Sequence, residues 1–156
     1  MPRPTSPIYQ MAYAWMVARG SKRHDKLIRK EKIELFSSIS GTVLEIGAGS
    51  GINLQYLPSS ISYIGLEPNR AMDTYLQGEL DTKIFPASWI IHASAERIPL
   101  EDASVDAVIS TLTLCTIPDP KQALEEIRRI LKFGGSFFFI EHVADTQGSF
   151  VRHLQH

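Results

Sequence analysis

The stretch Thr42-Val43-Leu44-Glu45-Ile46-Gly47-Ala48-Gly49-Ser50-Gly51 decides how this chain folds. Its first five residues read as a short buried strand, and the alternating glycines read as the turn into the next element. Glycines are wanted there for close approach. Without Cβ atoms, backbone amides can lie against a ligand, and some positions of such a turn require a positive φ. A tight strand-to-helix turn with no ligand is the plainer alternative.

Working outward, Ile52 to Leu57 opens a helix that Pro58 stops early. Ile61 to Leu66 is a second strand with an acid, Glu67, at its carboxyl end, followed by Pro68-Asn69. Ala71 to Gln77 is helical and Gly78 ends it. Ser88 to His92 is a third strand and Val105 to Thr111 a fourth. Asp119-Pro120 is an N-cap followed by proline at the first helical position. The helix Lys121 to Lys132 then shows Leu124, Ile127 and Leu131 on one face, and Gly134-Gly135 caps it. Ser136 to Ile140, with three consecutive phenylalanines, is a fifth strand covered on both faces. Upstream, Ile8 to Arg19 has apolar residues at 8, 11, 12, 15 and 16, and a second helix runs from about Asp25 to Phe36. Strands alternating with helices predict an α/β domain with a mostly parallel sheet.

The 156 residues are one domain's worth of chain, and 44% apolar content with 21% charged is ordinary for a globular protein. The single cysteine, Cys115, excludes an internal disulfide and a cysteine-only zinc site. His92, His153 and His156 are too sparse to suggest a metal centre, so none is expected. Met1 to Ser6 has no apolar core of a leader peptide, and a cytoplasmic location is the default expectation. The net charge of -1 hides an asymmetry: residues 1–40 hold eight Lys/Arg against three acids, and the remainder is acidic. Such a basic arm, with Tyr9, Tyr13 and Trp15 beside it, can touch an anionic membrane surface weakly. The plainer reading is a solvated helix face followed by a helix packed on the domain. Nucleic acid is not expected, because the rest of the surface is acidic.

Ligands of open parallel sheets bind beyond the carboxyl ends of the strands. Dinucleotide folds use G-x-G-x-x-G there, the third glycine letting helix and strand close on a pyrophosphate. Here that position is Ile52, and the glycine falls one residue earlier at Gly51. The pattern suits a nucleoside with an amino-acid tail and no pyrophosphate. Glu67 can accept two hydrogen bonds from a ribose diol.

From about Lys32 to Asp145 the sequence resembles the class I S-adenosylmethionine-dependent methyltransferases. Glu45, Gly47, Ala48, Gly49 and Gly51 look like the family's glycine motif, and Glu67 with Pro68 like its ribose-binding acid. The segment Ala93 to Pro99, with Ser94, Ala95 and Glu96, is similar to its adenine-side loop. Val105 to Ser110 matches the fourth-strand motif and Ile130 to Gly135 the turn before the fifth strand. The resemblance further implies that Asn53 and Thr111 contact the cofactor, Thr111 holding its methionine end through the backbone. Two positions depart from the pattern: Ser94 stands where many relatives have Asp beside adenine, and Phe133 where a proline is usual. The segments Ser110 to Ile117 and Phe139 to Ala144 look like the small branch that contains alkyl thiol methyltransferases. Membership implies S-adenosyl-L-methionine as cofactor and a small, lipophilic acceptor: a thiol, a quinone precursor or an amine.

Methyl transfer from a sulfonium is an in-line displacement that needs the nucleophile held against the methyl carbon and water excluded. A thiol reacts as thiolate, whereas an oxygen or carbon acid wants a base. His142, just past the fifth strand, is the candidate to orient or deprotonate an acceptor; a histidine bonded within the strand-end loop reads equally well. Cys115 reads as a small apolar residue rather than a nucleophile. A non-catalytic or truncated cofactor-binding domain is the alternative function, and an NAD-dependent oxidoreductase is disfavoured by Ile52.

The expected organisation is a basic helical arm over 1–40, an S-adenosylmethionine-binding core over 41–145, and the start of a truncated C-terminal helix over 146–156. The resemblance implies a Rossmann-like, doubly wound sheet of seven strands, of which five are countable. The fold is therefore expected to be truncated after the fifth strand. An exposed apolar sheet edge of that kind favours a homo-oligomer.

Overall fold

The computed structural model describes residues 6–141. Five parallel strands form one sheet: β1 (Thr42–Ile46), β2 (Ser62–Leu66), β3 (Ala87–Ile91), β4 (Val105–Thr111) and β5 (Leu131–Ile140). Their order is β3-β2-β1-β4-β5, so the winding reverses between β1 and β4. That reversal opens a crevice beyond Ile46 and Thr111, the place where such sheets take ligands. The helices are α1 (Pro7–Asp25), α2 (Arg29–Phe36), α3 (Asp73–Leu80) and α4 (Pro120–Ile130).

Both faces of the central strands are covered, and β1 is buried from Val43 to Ile46. Val43 packs with Phe36, Tyr63, Leu76 and Ile109 on one face; Leu44 and Ile46 pack with Ile64, Val108, Ile127 and Ile130 on the other. Each fully buried branched side chain contributes roughly 1.5–3 kcal/mol. On α4 the buried residues are Ala123, Ile127 and Ile130, whereas Leu124 faces outward at 45% exposure. The expected Leu124-Ile127-Leu131 face is thus rotated, because Leu131 already belongs to β5. The predicted cap is in place: Asp119 accepts from the Gln122 amide at 3.0 Å, with Pro120 at the first helical turn.

Several boundaries differ from the sequence expectation, each for a local reason. Asp25 does not open the second helix; it closes α1, and its carboxylate turns inward to Lys32 and Tyr56. Between Gly51, at φ +79°, and Pro58 there is room only for a 3-10 turn over Leu54–Tyr56 instead of a helix. Gly78 does not stop α3, because Leu76 and Leu80 are both buried one turn apart and outweigh the roughly 1 kcal/mol cost of a helical glycine. Gly134-Gly135 does not cap α4. The pairing of β5 with β4 jumps from Leu131 opposite Val105 to Ser136 opposite Ala107, and the intervening residues bulge. Gly134 sits at φ +78° there, and a Cβ on Gly135 would lie 2.9 Å from the Lys132 carbonyl oxygen. β5 is also not covered on both faces. It is one of the two sheet edges among the described residues, β3 being the other, and Phe139 is 56% exposed.

The first forty residues bury less, and differently, than the periodicity predicts. Ile8, Met11, Trp15 and Met16, the expected packing stripe of α1, all face outward. Ala14 is buried instead, and Tyr13, Val17 and Gly20 face the crevice. Lys32, counted with the solvated charges, is 2% exposed.

Candidate functional site

The glycine loop is held by the neighbouring strand. The amides of Gly47 and Ala48 donate to the Leu66 carbonyl at 2.9 and 3.2 Å, which ties the end of β1 to the end of β2. Gly47, Gly49 and Gly51 lie at φ +65°, +54° and +79°, in the left-handed region. Their roles differ. A Cβ on Gly47 would strike the Thr113 side chain at 2.4 Å, and one on Gly51 would press on Leu76, Glu79 and Leu54. At Gly49 a Cβ meets only ordinary contacts, so this is the point where the loop stands open to the crevice.

The crevice is a cavity of about 1010 Å³ along the carboxyl ends of the strands. Nine of the residues expected to bind a cofactor line it: Gly47, Gly49, Asn53, Glu67, Pro68, Ser94, Ala95, Glu96 and Thr111. Glu45, Ala48 and Gly51 do not line it. Ala48 is buried in the core and Gly51 packs against α3. Glu45 lies below the loop, where it accepts from Asn53 Nδ2 at 2.6 Å and Tyr63 Oη at 2.5 Å. Burial pushes its carboxyl up to about 7, against the lowering pull of those hydrogen bonds and of Lys32. His142 lies outside the described residues.

On the β2–β3 side, Glu67 accepts from the Gly49 amide through Oε2 and from the Asn69 amide through Oε1, both at 2.9 Å. Each oxygen keeps a lone pair for a diol. Burial raises its pKa above the usual carboxylate value, partly offset by those two amides. Ser94 is not a free acceptor: its hydroxyl donates to the Glu96 carboxylate and accepts from the Glu96 amide at 3.2 Å. The charge missing at residue 94 is therefore supplied two residues on.

On the β1–β4 side, Asn53 Nδ2 also donates to Thr111 Oγ1 at 3.2 Å. The Thr111 carbonyl accepts from the Thr113 hydroxyl at 3.1 Å. Leu112 follows at φ +54°, a conformation that costs a non-glycine residue about 1–2 kcal/mol. Glu141 holds it in place by accepting from Ser110 Oγ and from the amides of Thr113 and Leu114 at 2.9–3.0 Å. Tyr13, Val17, Gly20 and Ile28 close the cavity from the amino-terminal helices.

Asp25 and Lys32 also line it, and neither was singled out from the sequence. A usable signal existed for Lys32. It lies four residues from both Ile28 and Phe36, on the apolar face of α2, where a lysine must be buried or that face left uncovered.

With this geometry in hand, the comparisons with known proteins are specific. A methyltransferase domain family model matches residues 44–139. The chain belongs to the methyltransferase domain family. This methyltransferase domain is similar to the thiol S-methyltransferase TMT1B of Mus musculus, at 35% identity over 153 residues, covering 92% of the chain and 63% of the relative. The human protein of that name is 30% identical, with 93% and 64% covered. Among solved structures, a chain from the complex between the Haloferax volcanii Trm112 methyltransferase activator and a methyltransferase superposes with a TM-score of 0.70 at 28% identity. That match covers 83% of this methyltransferase domain and 58% of the other chain. The domain thus spans a little under two thirds of the length of its curated relatives. Family and fold imply S-adenosylmethionine as methyl donor, and the residues fit it. Glu67 faces the cavity with lone pairs to spare, the loop is open at Gly49, and Asn53 Oδ1 is buried without a hydrogen-bond partner.

Proposed function

We propose that this chain binds S-adenosylmethionine and transfers its methyl group to a small, lipophilic acceptor, with an alkyl thiol as the first choice. The observation that carries this reading is the continuous cavity of about 1010 Å³ at the carboxyl ends of the strands. It stands at the upper end of the 300–1,000 Å³ usual for one ligand, leaving room for an acceptor beside the cofactor. Its lining combines the polar glycine loop and Glu67 with the apolar side chains of Val17, Ile28, Leu112 and Ile117, which suit an apolar acceptor. When bound, the cofactor supplies an electrophilic methyl group on a positively charged sulfur. The protein's share is to hold both molecules and exclude water, through the cavity-lining Tyr13, Val17 and Glu141-braced Thr113. A thiol is preferred because its thiolate needs no strong base, and the similarity to thiol S-methyltransferases supports it. The test is methyl transfer measured against alkyl thiols, quinone precursors and amines, with S-adenosylhomocysteine binding followed by calorimetry. Turnover on a thiol is expected; binding without turnover on any acceptor class would reject the catalytic reading.

A weak membrane-surface contact is a second proposal, favoured by α1. Ile8, Met11, Trp15 and Met16 form an outward apolar stripe, flanked by exposed Arg19, Lys26, Arg29 and Lys30. Among the described residues no helix is long and apolar enough to cross a membrane. Co-sedimentation with anionic but not zwitterionic vesicles is expected, and should be lost on Trp15→Glu with Met11→Glu; equal sedimentation of that variant would reject it.

A further inference from the structure

We propose that His92 is a positioning residue for Glu67: its doubly protonated ring ties the Glu67 carbonyl to the Asp73 carboxylate, and loss of one proton releases Glu67, so that cofactor affinity falls as pH rises. The inference rests on the reading of S-adenosylmethionine as cofactor and deepens it.

His92 follows β3 directly, and its ring stands where the ladder between β2 and β3 runs out. The last paired residues are Leu66 and Ile91. One step on, the Glu67 amide still donates to the Ile91 carbonyl at 3.0 Å. The Glu67 carbonyl has a side-chain partner instead: His92 Nδ1 lies 3.0 Å from it. Both backbone polar groups of Glu67 are thereby pinned to the end of β3, while its carboxylate accepts from the Gly49 and Asn69 amides. Any shift of this backbone moves the carboxylate that faces the cavity, and hydrogen bonds to a diol tolerate only a few tenths of an ångström.

The far side of the ring meets Asp73, the first residue of α3, with Nε2 3.4 Å from Oδ2. The other oxygen of that carboxylate, Oδ1, is buried with no hydrogen-bond partner, which raises its need for a cation beside it. Both neighbours of the ring are thus acceptors. A carbonyl and a carboxylate each call for an N–H, and a neutral imidazole has only one. The imidazolium alone donates at both ends. When it loses a proton, the one that remains goes to the stronger acceptor, the carboxylate, and the Glu67 carbonyl faces a bare lone pair. The charges act in the same direction. After burial and the two amides, Asp73 opposes ionisation of Glu67 and His92 favours it. Other charges on the elements around the ring are engaged elsewhere or unpaired with Asp73. Glu96, in the loop after β3, is taken up by Ser94 and the Asp119 amide, and Arg97 acts on Glu126. Among the described residues the ion pair of Asp73 is with His92, not with Arg70 in the 3-10 turn before α3.

The experiment follows S-adenosylhomocysteine affinity by calorimetry, on the full chain, from about pH 5.5 to 8.5. His92→Asn keeps an amide donor near the Glu67 carbonyl and does not titrate. The affinity of the wild type relative to this variant should fall about fivefold across that range. Glu45, whose buried carboxyl is pushed up to about 7, titrates in both proteins and cancels in the ratio. Asp73→Asn removes the competing acceptor and can donate to Nε2, so a neutral ring keeps its proton on Nδ1. The ratio of Asp73→Asn to His92→Asn should therefore stay flat with pH. His92→Leu removes the donor and should bind about fivefold more weakly than the wild type at the acid end. Added to Glu67→Ala, it should change affinity by less than about twofold, because it acts through Glu67. Thermal unfolding shows that each variant folds. A wild-type ratio that does not change with pH would overturn the proposal. So would the full loss from His92→Leu in the Glu67→Ala background, which would make His92 merely structural. If the wild type binds no S-adenosylhomocysteine at any pH, the cofactor reading fails and this role with it.

Discussion

Glu45→Gln addresses the buried centre beneath the glycine loop. Glu45 is 1% exposed and fixed between Tyr63 and Asn53. Burial pushes its folded pKa from 4.5 to about 7, and the two hydrogen bonds and Lys32 offset only part of that rise. In the unfolded chain the group ionises near its ordinary value. Between pH 4.5 and 7 the folded state therefore keeps a proton that the unfolded state has lost. The stability contributed by the neutral form is complete below about pH 4.5 and is lost as pH rises through about 7. At about 1.4 kcal/mol per pH unit, that interval corresponds to about 3 kcal/mol. Glutamine has the shape of the neutral acid. Its carbonyl accepts from Asn53, and its amide donates to the Tyr63 hydroxyl, which can donate or accept. The variant should match the wild type near pH 4.5 and exceed it by about 3 kcal/mol at pH 8. Urea denaturation of both proteins from pH 4.5 to 8 measures this, and the difference at each pH cancels the other titrating groups. A pH-independent difference would refute the reasoning, as would a variant that is the less stable of the two at pH 8.

Three further substitutions probe the cofactor side and the scaffold. Glu67→Ala removes the acceptor facing the cavity and should weaken S-adenosylhomocysteine by about 10-fold or more, read calorimetrically. Gly49→Val forces a β-branched residue into φ +54° and into the cavity, with a loss of similar or greater size; unchanged affinity in both variants would reject the site. Arg129→Met should lower the unfolding free energy by about 2 kcal/mol, because Arg129 donates to the carbonyls of Ile98 and Leu100 and to Glu126 and Asp102. A change in stability below about 0.5 kcal/mol would mean that this clamp is as weak as an ordinary surface ion pair.

What could be read from the sequence is what depends on backbone conformation alone. A strand followed by glycines at every second position calls for a turn with positive φ, and Gly47, Gly49 and Gly51 all have it. Glu67 is placed by the end of its own strand, and Asp119-Pro120 by the geometry of a helix start. Gly134-Gly135 shows where the same logic becomes ambiguous. A helix C-cap and a strand bulge both want a residue in the left-handed region, so the pair signals a positive φ without saying which structure uses it. Pairing of β5 with β4 decides it, and that contact reaches back some thirty residues.

Burial on the amino-terminal helices was not legible for a different reason. Periodicity says that α1 has an apolar stripe, but not whether anything covers that stripe. In the fold it faces outward, while the less apolar face with Tyr13, Val17 and Gly20 borders the cavity. Counting charges treats Lys32 as one more solvated cation of a basic arm. Its burial depends on a partner seven residues earlier, at the end of another helix, and on an aromatic ring from beyond β1. A buried ion pair of this kind is weak evidence for stability, since apolar residues of similar volume would serve as well.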